Sequence, residues 1–263
     1  MRSQKWMLNG LIGATALAFA GSTVTPKSEP TSPVSPAAVE VHGGDVALDA
    51  GTPADGGVNA SIKKALAAFS SEVGRLSHPK ALETAMRSYF AYKAENPGAV
   101  KKPYLYFVDY GQPSTAKRGY VFDMDKLKIV DGPFTVAHGR GSGPRNGVPT
   151  RFSNASGSAA TSLGLYLAQE TYNFSGKSAG SLYRSIGLRL KGLSGKWNSN
   201  ARARGVVAHG APYVTASGSG RSEGCPAMEQ ARAKQLLPKI ANGGLVFLFA
   251  PNSSWMNSDP WLT

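Results

Sequence analysis

The 263-residue chain has a single cysteine, Cys225, and only four histidines. One thiol can form no internal disulfide, and no Cys/His spacing of a zinc site accompanies it. A Rossmann glycine fingerprint, a P-loop and an alternating strand–helix rhythm are all missing, which removes the common nucleotide-binding classes. Acidic residues are scarce, with 16 Asp and Glu against 29 Lys and Arg, for a formal net charge of +13. No run of five or more consecutive basic residues occurs. The surplus charge suits an anionic partner such as nucleic acid, a membrane surface or an acidic polymer, without choosing among them.

Glycine is abundant, at 31 residues, and 41% of the chain is hydrophobic. A buried core is within reach, in a turn-rich and partly β architecture. Arg2 and Lys5 precede an apolar stretch from Trp6 to Ala20 that ends in Ala18-Phe19-Ala20. This pattern predicts a secretory signal over residues 1–20, and hence an extracytoplasmic protein of the periplasm or cell envelope. The stretch is too short, and too interrupted by Asn9, Gly10 and Gly13, to be a comfortable membrane span. Residues 21–59 are rich in Pro, Ser, Thr and Gly and almost without aromatics, so they read as a disordered linker.

Ser61 is placed to cap a helix carrying Ile62, Leu66, Phe69, Val73 and Leu76 at three- and four-residue steps. Leu82, Met86, Tyr89 and Phe90 predict a second helix, stopped by Asn96-Pro97-Gly98. Residues 60–99 therefore read as a helical hairpin packed on a main domain. From Tyr104 the period changes to that of strands, with candidates at 104–108, 119–122, 129–130, 134–137, 164–167, 185–190, 206–208 and 245–249. A mainly β domain with accessory helices (α+β) over 100–252 is the economical assignment, followed by a tail at 253–263.

Two features single out Cys225. Pro226 followed by Ala227, Met228, Ala231 and Leu236 predicts a helix opening at the proline, with Cys225 at its N-cap. Backbone N–H groups there, together with Arg221, would favour a thiolate. Val206-Val207-Ala208-His209-Gly210 reads as a strand ending in histidine, and a thiol with an imidazole base is the minimal set for acyl transfer through a thioester. A lone cysteine can equally be a small buried hydrophobe, and a strand-end histidine a hydrogen-bonded structural residue. His138 ends another strand before Gly139, with Arg140 and Arg145 following in a Gly-rich loop. It reads either as a second cleft-lining residue, holding a substrate carboxylate or supporting His209, or as a buried histidine satisfying backbone groups.

His209-Gly210, a short loop and Ser222-x-Gly224-Cys225-Pro226 together resemble the signature of the YkuD-like L,D-transpeptidases. Tyr104 to Tyr110, Lys117-Arg118, Ala137-His138-Gly139-Arg140-Gly141-Ser142-Gly143, Phe152-Ser153-Asn154, Ser162-Leu163-Gly164 and Gly243-Gly244 extend the resemblance over about 103–251. The resemblance implies a β-sandwich or mixed sheet, with Cys225 as nucleophile and His209 as base. Ser222 and Gly224 would be the other motif positions, Gly224 helping to shape an oxyanion pocket. Substrate contacts would come from His138, Arg140, Arg221 and Gly210. The implied partners are peptidoglycan stem peptides, with no metal or organic cofactor and no nucleic acid. Glu223 and Pro226 depart from the best-known members, which carry histidine and a polar residue at those places, and this bears on how the donor peptide is held. Rival readings are an L,D-carboxypeptidase or thiol peptidase with water as acceptor, and a non-catalytic wall-binding protein.

Overall fold

The computed structural model describes residues 53–262. The expected signal segment and residues 21–52 of the expected linker lie outside them. Helix α1 (Pro53–Phe69) begins eight residues before Ser61, so the last part of the expected linker is helical. Proline is favoured in a first helical turn, and Ser61 is interior, its hydroxyl donating back to the Gly57 carbonyl at 2.9 Å. Helix α2 (Ala81–Glu95) ends at Asn96, as the Asn-Pro-Gly signal predicts.

Strands β1 (Tyr104–Asp109), β2 (Lys117–Asp123), β3 (Lys128–Thr135) and β4 (His138–Gly139) follow. A long hairpin, β5 (Gly164–Ser178) and β6 (Ser181–Gly192), precedes β7 (Val207–Gly210). Four two-residue strands come next: β8 (Val214–Thr215), β9 (Gly218–Ser219), β10 (Arg221–Ser222) and β11 (Ala227–Met228). Helix α3 (Gln230–Ile240), β12 (Leu245–Phe249) and α4 (Ser253–Met256) complete the order. One eight-stranded mixed sheet runs β11-β7-β6-β5-β12-β1-β2-β3, with β4–β10 and β8–β9 as separate pairs. The β1–β12, β7–β11 and β4–β10 pairs are parallel and the remainder antiparallel.

The central strands β1 and β12 are buried almost throughout, which is why their apolar runs show no alternation. Phe107 stacks on Phe247 across them, and Phe69 of α1 meets Phe122 at 4.6 Å. The helical hairpin thus shares the main core, and so does the C-terminal segment: Trp255 is fully buried and donates to Asp259 at 2.7 Å. Buried Asp109 accepts from the Ser77 N–H, the Ser77 hydroxyl and the Gly111 N–H, tying the helix connection to the end of β1. Helix α3 packs on β6 and β7 and backs the strand that carries His209.

Beyond its base, the β5–β6 hairpin extends much further than its sequence suggests. Only 164–167 of β5 pair with β12, and only 187–189 of β6 pair with β7, while β5 and β6 pair with each other to Ser178 and Ser181. The turn residues Ala179 and Gly180 both have positive φ (49° and 82°), as a two-residue hairpin of primed type requires. Tyr172 lies over Gly187 and Tyr183 over Gly176, directly across the register, so rings fill the places that side chains at those glycines would take. Among the described residues no helix is long and apolar enough to cross a membrane.

Candidate active site

The segment holding the thiol lies between two copies of Ala-His-Gly. On one side Arg221 pairs with His138 and Ser222 with Gly139, and the Arg140 N–H donates to the Ser222 carbonyl at 2.7 Å. On the other side Ala227 pairs with His209 and Met228 with Gly210. The His209 N–H reaches the carbonyl of Pro226, the residue next to Cys225, at 3.4 Å. An Ala137–Ala227 bridge closes the arrangement.

Between these anchors the chain makes a sharp turn. The Ser222 hydroxyl donates to the Cys225 carbonyl at 2.7 Å and accepts from the Gly224 N–H at 3.1 Å. Gly224 has φ +122°, a conformation that side chains rarely adopt, and a Cβ there would lie 2.8 Å from the Ala160 carbonyl. Gly139 faces the same constraint from the other side, since its Cβ would lie 2.7 Å from the Gly224 Cα. Ser222, Gly224 and Gly139 therefore set the turn that presents the thiol.

Helix α3 does not begin at Pro226. Its N-cap is Glu229, and Ala227 and Met228 are fully buried in strand pairing. Cys225 is consequently not at a helix N-terminus, and the expected dipole stabilisation of a thiolate is absent. The thiol is half-buried, with its Sγ 3.9 Å from the Gly205 carbonyl. Burial pushes its pKa up, opposed by the Val207 N–H and by Arg204, while Glu223 adds to the rise. The cation that acts on the thiol is Arg204 and not Arg221. Arg204 is fixed by the Ala160 carbonyl (2.7 Å), the Ser153 carbonyl (2.8 Å) and the Ser158 hydroxyl (3.1 Å). Nothing in sequence reading points to this residue, which sits in a Gly/Ser/Asn-rich loop.

His209 is buried on β7, with one ring face stacked on Phe174 at 4.2 Å. Its Nδ1 lies 3.1 Å from the Gly210 carbonyl. A carbonyl only accepts, so Nδ1 carries the proton and Nε2 the lone pair. Burial pushes the His209 pKa down to about 4, so the ring is neutral at neutral pH. Gly210 contributes this carbonyl and close packing rather than a cleft surface: a Cβ there would lie 2.4 Å from the Ser185 Oγ and 2.9 Å from the Ala233 Cβ.

His138 is fully buried, which of its two readings favours the buried histidine over the cleft-lining residue. Its Nδ1 is 3.1 Å from Nη2 of Arg118, itself fully buried. Arg118 also donates to the Val136 carbonyl through Nε and Nη2 and to the Gln112 carbonyl through Nη1, and lies over the Tyr110 ring. Arg140 and Arg221 are exposed, and Arg140 forms a two-oxygen ion pair with Glu223 at 2.7 and 2.9 Å.

Tyr110, Tyr166, Tyr172, Tyr183 and Tyr213 lie within electrostatic reach of Cys225. Tyr166 is a core residue bonded to Ser162, whereas half-buried Tyr172, Tyr183 and Tyr213 form an aromatic wall with Phe174. Tyr172-x-Phe174 is the one local mark of this wall in the sequence. Glu170 pairs with Arg189 and Arg202.

The model of the L,D-transpeptidase catalytic domain matches residues 75–249. The chain belongs to the L,D-transpeptidase catalytic-domain family. Among solved structures, an L,D-transpeptidase from Mycobacterium smegmatis is 14% identical, over 56% of this chain and 59% of its own, with a TM-score of 0.34. One from Stackebrandtia nassauensis is 15% identical, over 72% and 75%, with a TM-score of 0.35. One from Xylanimonas cellulosilytica is 14% identical, over 56% and 61%, with a TM-score of 0.33. This chain thus spans about three fifths of the Mycobacterium smegmatis protein that it matches. No curated protein matches it. In this L,D-transpeptidase domain, among the described residues, no group of three or more His, Cys, Asp or Glu side chains is gathered to hold a metal ion.

Proposed function

We propose that this protein is an exported peptidoglycan L,D-transpeptidase working through a thioester on Cys225, with His209 as general base. The reading rests on family membership together with one observation. A half-buried thiol sits in a turn whose next carbonyl is hydrogen-bonded to the main chain of a histidine with its lone pair on Nε2.

With the thiol pKa raised and that of the imidazole lowered, both groups rest neutral instead of as an ion pair. The thiol proton therefore passes to Nε2 as sulfur attacks the amide carbonyl of a stem peptide. Arg204 offsets the negative charge developing nearby. The tetrahedral intermediate collapses by breaking the C–N bond, and His209 gives its proton to the departing amine of the terminal amino acid. An amine of a second stem peptide then attacks the thioester carbonyl, loses its proton to His209, and releases the thiol. The tyrosine wall covers the site on the hairpin side. Glu223, at one of the positions that depart from the best-known members, holds Arg140, and the Pro226 carbonyl anchors β7.

Incubation with purified muropeptides, read by mass spectrometry, tests the proposal. The wild type should release the terminal residue and form new cross-links, and Cys225→Ala should do neither. Unchanged muropeptides with the wild type would refute the activity, identical products from both proteins would remove Cys225 from it, and release without cross-links would make water the acceptor.

A further inference from the structure

Outside the thiol turn, a cavity of about 260 Å³ opens between the 140–145 loop, β10 and the tip of the β5–β6 hairpin. Arg140, Arg145, Lys177 and Arg221 line it together with Tyr213, and no acidic residue is among its lining. Glu223 engages Arg140 from beside the cavity, and Arg221 reaches only the neutral Gly143 carbonyl, at 3.5 Å. Cations gathered around one small space repel one another unless an anion enters. Guanidinium groups present paired donors that match a carboxylate, and an ammonium adds a point charge.

Side chains link the lining of the cavity to the proposed reaction site. Arg221 lies on β10, just before the turn that holds Cys225, and Tyr213 packs edge-on against Tyr183, which rests on Phe174 above His209. A peptide entering under the aromatic wall would bring the substituents beside its reacting carbonyl to the cationic space. We infer that this cavity is a carboxylate subsite that selects stem peptides bearing a free side-chain carboxylate next to the scissile bond, over the same peptides with that group amidated. The inference rests on the activity proposed above and deepens it. The hairpin tip supplies one side of the subsite, through Lys177, so the length of β5 and β6 has a use in substrate choice.

The test uses two synthetic stem peptides that differ only in that carboxylate, free in one and a primary amide in the other, with release of the terminal residue as the readout. The wild type should process the free acid with a kcat/KM at least about tenfold higher, mostly through KM. In an Arg145→Gln/Lys177→Gln double variant the ratio should fall toward one, and in the wild type it should shrink as sodium chloride is raised. Both residues are exposed, and a thermal unfolding scan of the variant confirms that it is folded. Equal processing of the two peptides by the wild type, or a preference that survives the double substitution, overturns the subsite while leaving the transpeptidase reading in place. Processing of neither peptide overturns both.

Discussion

The two Ala-His-Gly segments, 137–139 and 208–210, are identical in sequence, flank the same thiol-bearing turn, and end in opposite proton arrangements. His209 faces the Gly210 carbonyl through Nδ1, so the proton sits on Nδ1 and the lone pair on Nε2. His138 faces the Arg118 guanidinium through Nδ1. A guanidinium only donates, so Nδ1 holds the lone pair and Nε2 the proton. That Nε2 is buried toward the Gly143 and Pro144 carbonyls without a well-formed hydrogen bond. Burial pushes both rings down to about 4, with Arg118 adding to the effect at His138. Acidity therefore does not distinguish the two residues. The group across from Nδ1 does, and it makes His209 suited to take a proton and His138 suited to accept from a buried guanidinium.

The largest separation between them should appear in activity. His209→Ala is expected to lower kcat/KM by about 10³-fold, within the range for loss of a general base, in a protein that remains folded. His138→Ala should do the reverse, lowering the midpoint through an unpaired Arg118 donor and costing the folded enzyme little. Equal losses of activity in both variants would erase the distinction.

Next in size is Arg118→Met, which strips donors from the Val136 and Gln112 carbonyls and leaves the His138 Nδ1 without its partner. A loss of about 3 kcal/mol in a urea titration is expected. A stability equal to that of the wild type would mean that the buried guanidinium is not what fixes His138.

Acid should act on both histidines together. A ring with a folded pKa near 4 and an ordinary value of 6.5 resists protonation in the folded state, whereas the unfolded chain takes up the proton. Stability is thus intact above about pH 6.5, declines as pH falls, and has lost this contribution below about pH 4. Denaturant titrations at pH 7, 5 and 4 should trace that fall, and a flat profile would contradict buried neutral rings. The smallest effect is expected at Arg204, where replacement by Gln should slow Cys225 alkylation by iodoacetamide about tenfold by removing a cation near the thiolate. Unaltered alkylation would take Arg204 out of the site.

Much of this architecture was legible in the sequence, for identifiable reasons. Residues 104–108 and 245–249 are apolar runs flanked by breakers, and they became β1 and β12 with hardly a shift in boundary. The Asn96-Pro97-Gly98 stop is legible because it depends on local backbone chemistry alone. The helix expected at Pro226 failed because tertiary pairing outweighed it: Ala227 and Met228 gain burial beside β7, and the helix waits until Gln230. The hairpin arms leave little trace in the sequence because both faces beyond the sheet are largely half-exposed and mix polar with aromatic residues, leaving Tyr172-x-Phe174 as a weak mark. Cys225 and His209 stood out as residues. Arg204, the Arg118–His138 contact and the cationic cavity exist only through long-range placement, which no local pattern carries.

Catalysis turns on a thioester that forms at Cys225 only with the help of His209. Acid quenching of the protein seconds after mixing with a stem tetrapeptide, followed by intact-mass and peptide-level mass spectrometry, reads that species directly. The wild type and His138→Ala should both carry the acyl adduct on Cys225, and His209→Ala should carry almost none. An adduct that forms equally well in His209→Ala, or that maps to a residue other than Cys225, would contradict it.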